Sequence, residues 1–186
     1  MSFSDIFLLA IGLVSDSFAI AMTTATADSS LSSGMMLRIS LLFGLTQFLA
    51  LVIGWQVGIP FRRFFSGYEH WATCFVLVGV GVKMMRQLFQ KKTPNSSTSL
   101  PMNITRWVIL AIITNLDDAA VGVGLGLLFG PMPGVFVSIG GLTTATMFSG
   151  FLIGRKLHQV QWKWASLPGA AALLLLGLRI ATYHIP

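Results

Sequence analysis

Charge is scarce in this chain. Of its 186 residues only six are Asp or Glu and twelve are Lys or Arg, while 54% are hydrophobic and mean hydropathy is +0.79. A soluble domain of this size needs far more polar surface, so the composition defines an integral membrane protein. Cysteine is nearly absent: Cys74 by itself forms neither an intramolecular disulfide nor a thiolate metal cluster. Histidine is missing from the apolar stretches, since His70 and His184 lie at their ends and His158 lies in a connection. Zinc, copper and nickel are therefore poorly served. No polar stretch is long enough for a soluble catalytic domain, which confines function to the helices and their mouths.

What is present is long apolar sequence. A helix needs about 20 apolar residues to cross the hydrocarbon core, and six segments qualify: 6–27, 36–57, 71–88, 107–129, 134–153 and 165–183. The fold expected is an all-α membrane protein of six transmembrane helices. Ala25-Thr26-Ala27 resembles a signal-peptide cleavage site, but MSFSD carries Asp5 and no cation, and Asp16 interrupts the apolar run. The segment is expected to stay as the first span.

The net charge of +6 does not point to nucleic acid, because the cations flank apolar spans and form no basic stripe. If the spans alternate, one face receives Arg38, Arg86, Lys91, Lys92, Arg106, Arg155, Lys156 and Lys163, and the other chiefly Arg62 and Arg63. The cation-rich face is expected to be cytoplasmic, in the cytoplasmic membrane, with both termini outside and the 28–35, 89–106 and 155–164 connections inside. Lys83 and Arg179 lie near span ends, where long side chains snorkel to the interface or pair with an Asp. Trp55, Trp71, Trp107, Trp162 and Trp164 fall at span boundaries, as an interfacial belt requires.

Flexible-linker composition occurs once, in QKKTPNSSTSLP at 90–101. It divides the chain into residues 1–90, a cytoplasmic linker at 91–105, and residues 106–186. Features recur in order on either side: Asp16 and Asp117 in the leading span, I-G at 53–54 and 153–154 closing the next, and G-V-K at 81–83 against G-L-R at 177–179. An odd number of spans per half makes the second half enter from the opposite side. The expected architecture is two inverted-topology three-helix repeats, a transporter arrangement.

Asp16 and Asp117 lie deep in apolar stretches, where an ionised group costs several kcal/mol, about 2.5–3.5 on insertion scales. Gly12, Asp16, Ala19 and Thr23 recur at helical spacing with Ser15 beside them, a small and polar stripe expected to face protein. Asp118 is rotated about 100° from Asp117, so an unbroken helix cannot aim both at one small site. Glycines at 122, 124 and 126 admit either local unwinding, which would free carbonyl ligands, or tight helix packing through GxxxG. The candidate cation ligands are Asp16, Asp117, Asp118, Asn115, Gln47 and Ser15, with the hydroxyls of Thr46, Thr114 and Thr143. All are hard oxygen donors, which suit Mn²⁺, Mg²⁺ or Ca²⁺. The nine Met residues are read as filling gaps between helices.

The motifs D-x-F-A from Asp16 and L-D-x-x-A-V-G-V-G-L from Leu116 stand with F-G at 43–44, I-G-W at 53–55 and L-I-G-R at 152–155. Together they resemble the bacterial manganese efflux pump (MntP) family over nearly the whole chain. The resemblance implies a six-span exporter of Mn²⁺, with Asp16 and Asp117 at the matching acidic positions. It also marks departures: the family carries an acid where this chain has Gln47 and another near Gln87, and Asp118 replaces a small residue.

The function expected is export of a divalent cation, Mn²⁺ by the resemblance, through a site on Asp16 and Asp117. The partners expected are that cation and the bilayer, with a homodimer left open, and no bound cofactor or enzymatic activity is expected. Two alternatives stand beside it. An intramembrane aspartyl protease also needs two Asp from different helices, but L-V-S and T-N-L precede the acids here where the known families have G-x-G. A non-transporting membrane scaffold leaves the intramembrane acids unexplained.

Overall fold

A computed structural model describes residues 3–27, 31–62, 68–89, 104–130, 133–156 and 167–182. Every element among them is a helix: α1 (Phe3–Ala27), α2 (Ser33–Phe61), α3 (Glu69–Phe89), α4 (Ile104–Thr114), α5 (Leu116–Leu128), α6 (Pro133–Lys156) and α7 (Leu167–Thr182). Four stretches are long and apolar enough to cross a membrane: Asp5–Thr26, Ser33–Phe61, Ile104–Leu128 and Pro133–Lys156. Helices α3 and α7 stand where the third and sixth spans are expected. Most of the 91–105 linker, with Trp162, Trp164, His158 and His184, lies outside the described residues.

The helices are turned inside out relative to a soluble bundle. On α2 the exposed positions Leu37, Leu41, Leu45, Leu49, Ile53 and Val57 are four apart and wholly apolar, whereas the buried side carries Ser40, Gln47 and Gly54. A helix that hides polar groups and presents Leu and Ile outward is solvated by lipid. Ser32 caps its start, accepting from the Met35 N–H at 3.3 Å.

Apart from the join of α4 to α5, the extensive contacts all link a helix before the central linker to one after it. Helix α2 packs on α4, α5 and α6; α1 packs on α6 and α7; α3 packs on α5 and α7. Three of these crossings run on glycine: α2–α5, α1–α6 and α2–α6, where a Cβ at Gly44 would lie 2.5 Å from the Gly140 carbonyl oxygen. A Cβ at Gly122 would lie 2.6 Å from the Leu51 carbonyl oxygen of α2, and one at Gly154 of α6 would lie 2.8 Å from the Met22 carbonyl oxygen of α1. The backbones therefore approach as closely as small-residue packing permits. Helix α5 runs unbroken through 122–126, so these glycines serve packing and do not unwind the helix; the break falls earlier, at Asn115.

Two apolar clusters fill the interior, and a polar layer separates them. The first gathers Leu9, Leu13, Leu51, Leu77, Val121, Leu125, Ile139 and Leu173; the second gathers Ala21, Met36, Phe43, Trp107, Ala111, Met147 and Phe151. Helix by helix, the residues between the two are Ser17 on α1, Gln47 on α2, Asn115 and Asp118 at the α4–α5 join, and Thr143 on α6, all buried. Two expectations are corrected. Trp107 is no interfacial anchor but fully buried, edge-on to Phe43 with ring centroids 6.4 Å apart. Of the small and polar stripe expected on α1, Gly12 is buried against Leu173 and Asp16 and Ala19 are half-buried, but Thr23 is exposed and bonds the Ala19 carbonyl of its own helix.

Substituting Gly122→Ala is expected to lower the thermal midpoint of the detergent-solubilised protein, corresponding to about 1–3 kcal/mol of overpacking. Gly141, where an added Cβ would meet nothing within 4 Å, should accept Ala with no loss. Equal midpoints for the two variants would contradict this account of the α2–α5 crossing.

Candidate cation site

The polar layer is assembled from four chain segments, of which α6 contributes Thr143, its hydroxyl donating to the Ile139 carbonyl of its own helix at 2.9 Å. On α1, Asp16 is half-buried and its Oδ1 accepts from the Ser17 N–H at 2.7 Å, while the buried Ser17 hydroxyl has no hydrogen-bond partner. On α2, Gln47 is 0% exposed; its Nε2 donates to the Leu13 carbonyl of α1 at 3.4 Å, and its Oε1 has no donor. At the α4–α5 join, Asn115 is 2% exposed; its Nδ2 donates to Thr46 Oγ1 at 2.6 Å and to the Phe43 carbonyl at 3.4 Å, and its Oδ1 is unpaired. The two amides thus tie α2 to α1 and to the join through their nitrogens. Both amide oxygens are left over.

Asn115 interrupts the helix with φ −82° and ψ 5°, the sparsely allowed region used in turns and sites. The ladder resumes around it, with its N–H on the Ala111 carbonyl at 2.9 Å and its carbonyl accepting from Ala119 at 3.2 Å. The interruption makes Asp117 and Asp118 the first-turn acids of α5, where the helix dipole favours negative charge. The 100° between them then separates their fates. Asp118 is 3% exposed with Oδ2 unpaired, whereas Asp117 turns to the edge of the bundle and forms an ion pair with Lys83 of α3.

Four buried oxygens without donors, belonging to Ser17, Gln47, Asn115 and Asp118, lie in one layer beside Asp16. Leaving such a group unsatisfied costs about 1–3 kcal/mol each; a cation would satisfy several at once. Among the described residues, no three His, Cys, Asp or Glu side chains converge closely enough to hold a metal ion by themselves. A cation here needs the neutral amide and hydroxyl oxygens as well as the carboxylates, a donor set that fits a hard divalent ion.

The sequence expectations divide accordingly. Asp16, Gln47, Asn115 and Asp118 share the layer, and Asp117 lies at its margin. Ser15 commits its hydroxyl to the Ile11 carbonyl of its own helix at 2.6 Å. Ser17 is absent from the sequence candidates, although its spacing of four from Leu13 and Ala21 marks the buried face of α1. Lys83 and Arg179 both pair with acids, Arg179 Nη1 lying 2.7 Å from Asp5 Oδ1.

An inside-out bundle of apolar helices closed around an oxygen-rich layer is a multi-pass membrane protein with a buried polar site. Comparison with known proteins narrows the class. The family model described as "Putative manganese efflux pump" matches residues 30–181, and the chain belongs to this family. Among its relatives, a protein of Gloeothece citriformis named "Putative manganese efflux pump MntP" is 29% identical, covering 95% of this chain and 93% of its own. A relative of that name from Nitratidesulfovibrio vulgaris (strain DP4) is 30% identical over 95% of this chain and 89% of its own. A protein of Clostridium botulinum (strain Langeland) named "Putative manganese efflux pump MntP 2" is 30% identical over 99% of this chain and 96% of its own. No solved structure matches the chain.

Replacing Thr46 by Val removes the acceptor of the shortest Asn115 contact and should cost about 1–3 kcal/mol of stability. Ser15→Ala loses only a bond within its own helix and should cost less than about 1 kcal/mol. Thermal midpoints of the two purified variants check the order.

Proposed function

We propose that this protein exports Mn²⁺ across the cytoplasmic membrane. The cargo is held in the polar layer by the carboxylates of Asp16 and Asp118 with the amide oxygens of Asn115 and Gln47. The observation that carries the reading is the set of donorless buried oxygens between two apolar clusters. Polar groups in a membrane interior are expensive and mark ion pathways. Membership in a family described by manganese efflux supplies the metal and the direction, and the hard oxygen set agrees with that metal. The protease alternative gains nothing from the family match.

The layer lies near the bilayer midplane on this reading, at the interface of two inverted repeats within six spans. The helix pairing supports it: exchanging first with fourth, second with fifth and third with sixth spans leaves the list of packed pairs unchanged. Residue detail agrees. The 101-residue offset that carries Asp16 onto Asp117 carries Phe18 onto Ala119 and Met22 onto Val123. Carbonyls of Phe18 and Met22 face Gly150 and Gly154 of α6, and those of Ala119 and Val123 face Gly54 and Gly58 of α2. Transport follows when one repeat rocks against the other around the layer. Protons are the natural counter-cargo, since proton and metal compete for the same carboxylate oxygens.

Both termini face outward in this reading, by the cation excess on the odd-numbered connections. A single Cys at Ser97, in a Cys74→Ala background, is expected to resist an impermeant thiol reagent added to intact cells and to react after permeabilisation. Reaction in intact cells would reverse the orientation.

Asp16→Asn and Asp118→Asn are each expected to insert normally yet lose export, with a drop in metal affinity of roughly 100-fold. The assay is complementation of an exporter-deficient strain under Mn²⁺, Mg²⁺, Co²⁺, Ni²⁺ and Zn²⁺ stress, with cellular metal content measured alongside. Full Mn²⁺ resistance at matched expression would remove that residue from the site, and resistance to another metal alone would reassign the cargo.

A further inference from the structure

Three carboxylates, Asp16, Asp117 and Asp118, lie in the polar layer or at its margin, yet only one of them has a cation among the described ion pairs. Lys83 of α3 holds Asp117. Its stem lies half in the open, with the side chain 50% exposed against 23% for Asp117, so the pair occupies the rim of the polar layer. Asp118, one residue further on, is buried with an unpaired oxygen, and Asp16 accepts from the Ser17 N–H of its own helix. Among the described residues the acids therefore divide into one that is paired with a cation of the chain and two that are not.

We propose that Lys83 sets the charge of the site: by neutralising Asp117 it withdraws that carboxylate from the cargo and leaves two, Asp16 and Asp118, to match a divalent cation. This rests on the export reading above and deepens it by assigning the selectivity for ionic charge to a residue that touches no metal. Three ionised acids in low dielectric would favour a trivalent ion or demand an extra proton with each divalent one; one ammonium removes that excess. Lysine suits the task because its compact point charge is carried on a flexible stem and donates to a single carboxylate without needing a planar partner. The assignment also gives Asp117 a role distinct from that of a ligand. It is the anchor that keeps the ammonium away from Asp118.

The two roles predict opposite results for a double substitution. Asp117→Asn leaves the Lys83 charge without a counter-ion beside the layer and should weaken Mn²⁺ binding on the order of tenfold. Adding Lys83→Met returns the layer to two uncompensated carboxylates, and binding should recover to within about threefold of the parent. If Asp117 is a cargo ligand, the double variant stays as weak as Asp117→Asn. Lys83→Met alone leaves three carboxylates, so affinity for Tb³⁺ should rise relative to Mn²⁺ by on the order of tenfold, while Lys83→Arg keeps the parent ratio.

The measurements are Mn²⁺ binding to purified protein by the loss of the free-ion paramagnetic resonance signal, and Tb³⁺ binding by luminescence. A role limited to fastening α3 to α5 would lower both affinities together and leave the Tb³⁺ to Mn²⁺ ratio unmoved, which overturns the proposal. Should either single variant fail to fold, the double variant alone decides, because it carries no unpaired charge at this position: binding near the parent supports the proposal, and a tenfold loss overturns it. If the parent binds Mn²⁺, Asp118→Asn does not, and the double variant fails to recover, only the assignment of Lys83 falls. If neither the parent nor any variant binds Mn²⁺, the export reading falls with it.

Discussion

Everything in this bundle is organised around oxygens that the chain itself does not satisfy. The Asn115 and Gln47 amides use their nitrogens to bind Thr46 and Leu13, which is a structural service, and each then holds out an oxygen with no donor. A fold selected only for stability would reverse or replace these groups, since apolar residues of similar volume avoid the desolvation cost. Apart from the indole Nε1 of Trp107, the cost falls in one layer, bounded along the helices by two apolar clusters. Those clusters hold the helices in register and exclude other polar groups, so the strength of any cation interaction in the layer is governed by low dielectric.

Close backbone approach is what makes such a layer possible. With lipid outside, no hydrophobic effect drives helix to helix, and contact must come from packing. Gly54, Gly58, Gly122 and Gly126 put α2 and α5 backbone to backbone, and Gly150 and Gly154 do the same for α6 on α1. These crossings flank the polar residues along the same helices, so side chains as short as Asn and Asp reach across an interface that bulkier packing would hold open. The crossing that brings α2 against the α4–α5 join is also the one that sets Thr46 beside Asn115.

Much of this is legible in the sequence because membrane solvation leaves few alternatives. The apolar runs, the intramembrane acids and the central polar linker each have one economical reading, and the helices α1, α2, α4–α5 and α6 fall where the hydropathy predicts. What is not legible depends on distances of one turn or less. Hydropathy treats 107–129 as one span, and its break at Asn115 arises from a side chain that finds partners on α2, a tertiary fact without a local signal. The glycines at 122–126 suit unwinding and packing equally by sequence, and only the proximity of α2 decides for packing. Trp107 lies at a span boundary by count, but its face is set by Phe43. The split between Asp117 and Asp118 is visible in sequence as a rotation of about 100°; which of them turns inward is not.

The placement of cations carries the same logic one step further. Arg62, counted by sequence as one of two positive charges on the outer face, is committed to the end of α5: its Nη2 donates to the Gly126 and Phe129 carbonyls at 2.7 and 2.6 Å. A guanidinium on the final carbonyls complements the helix dipole, so this residue closes a helix as well as marking a face. Lys83 of α3 and Arg179 of α7 repeat the pattern, each reaching to an acid on another helix, Asp117 of α5 in one case and Asp5 of α1 in the other. The matching stops there, because Asp5 lies near the chain start and Asp117 beside the polar layer. Helix α7 therefore uses its cation at the periphery, while α3 uses its cation beside the polar layer. That asymmetry leaves Asp16, like Asp118, without a side-chain cation among the described ion pairs, which is why the proposed cargo site is drawn through these two acids.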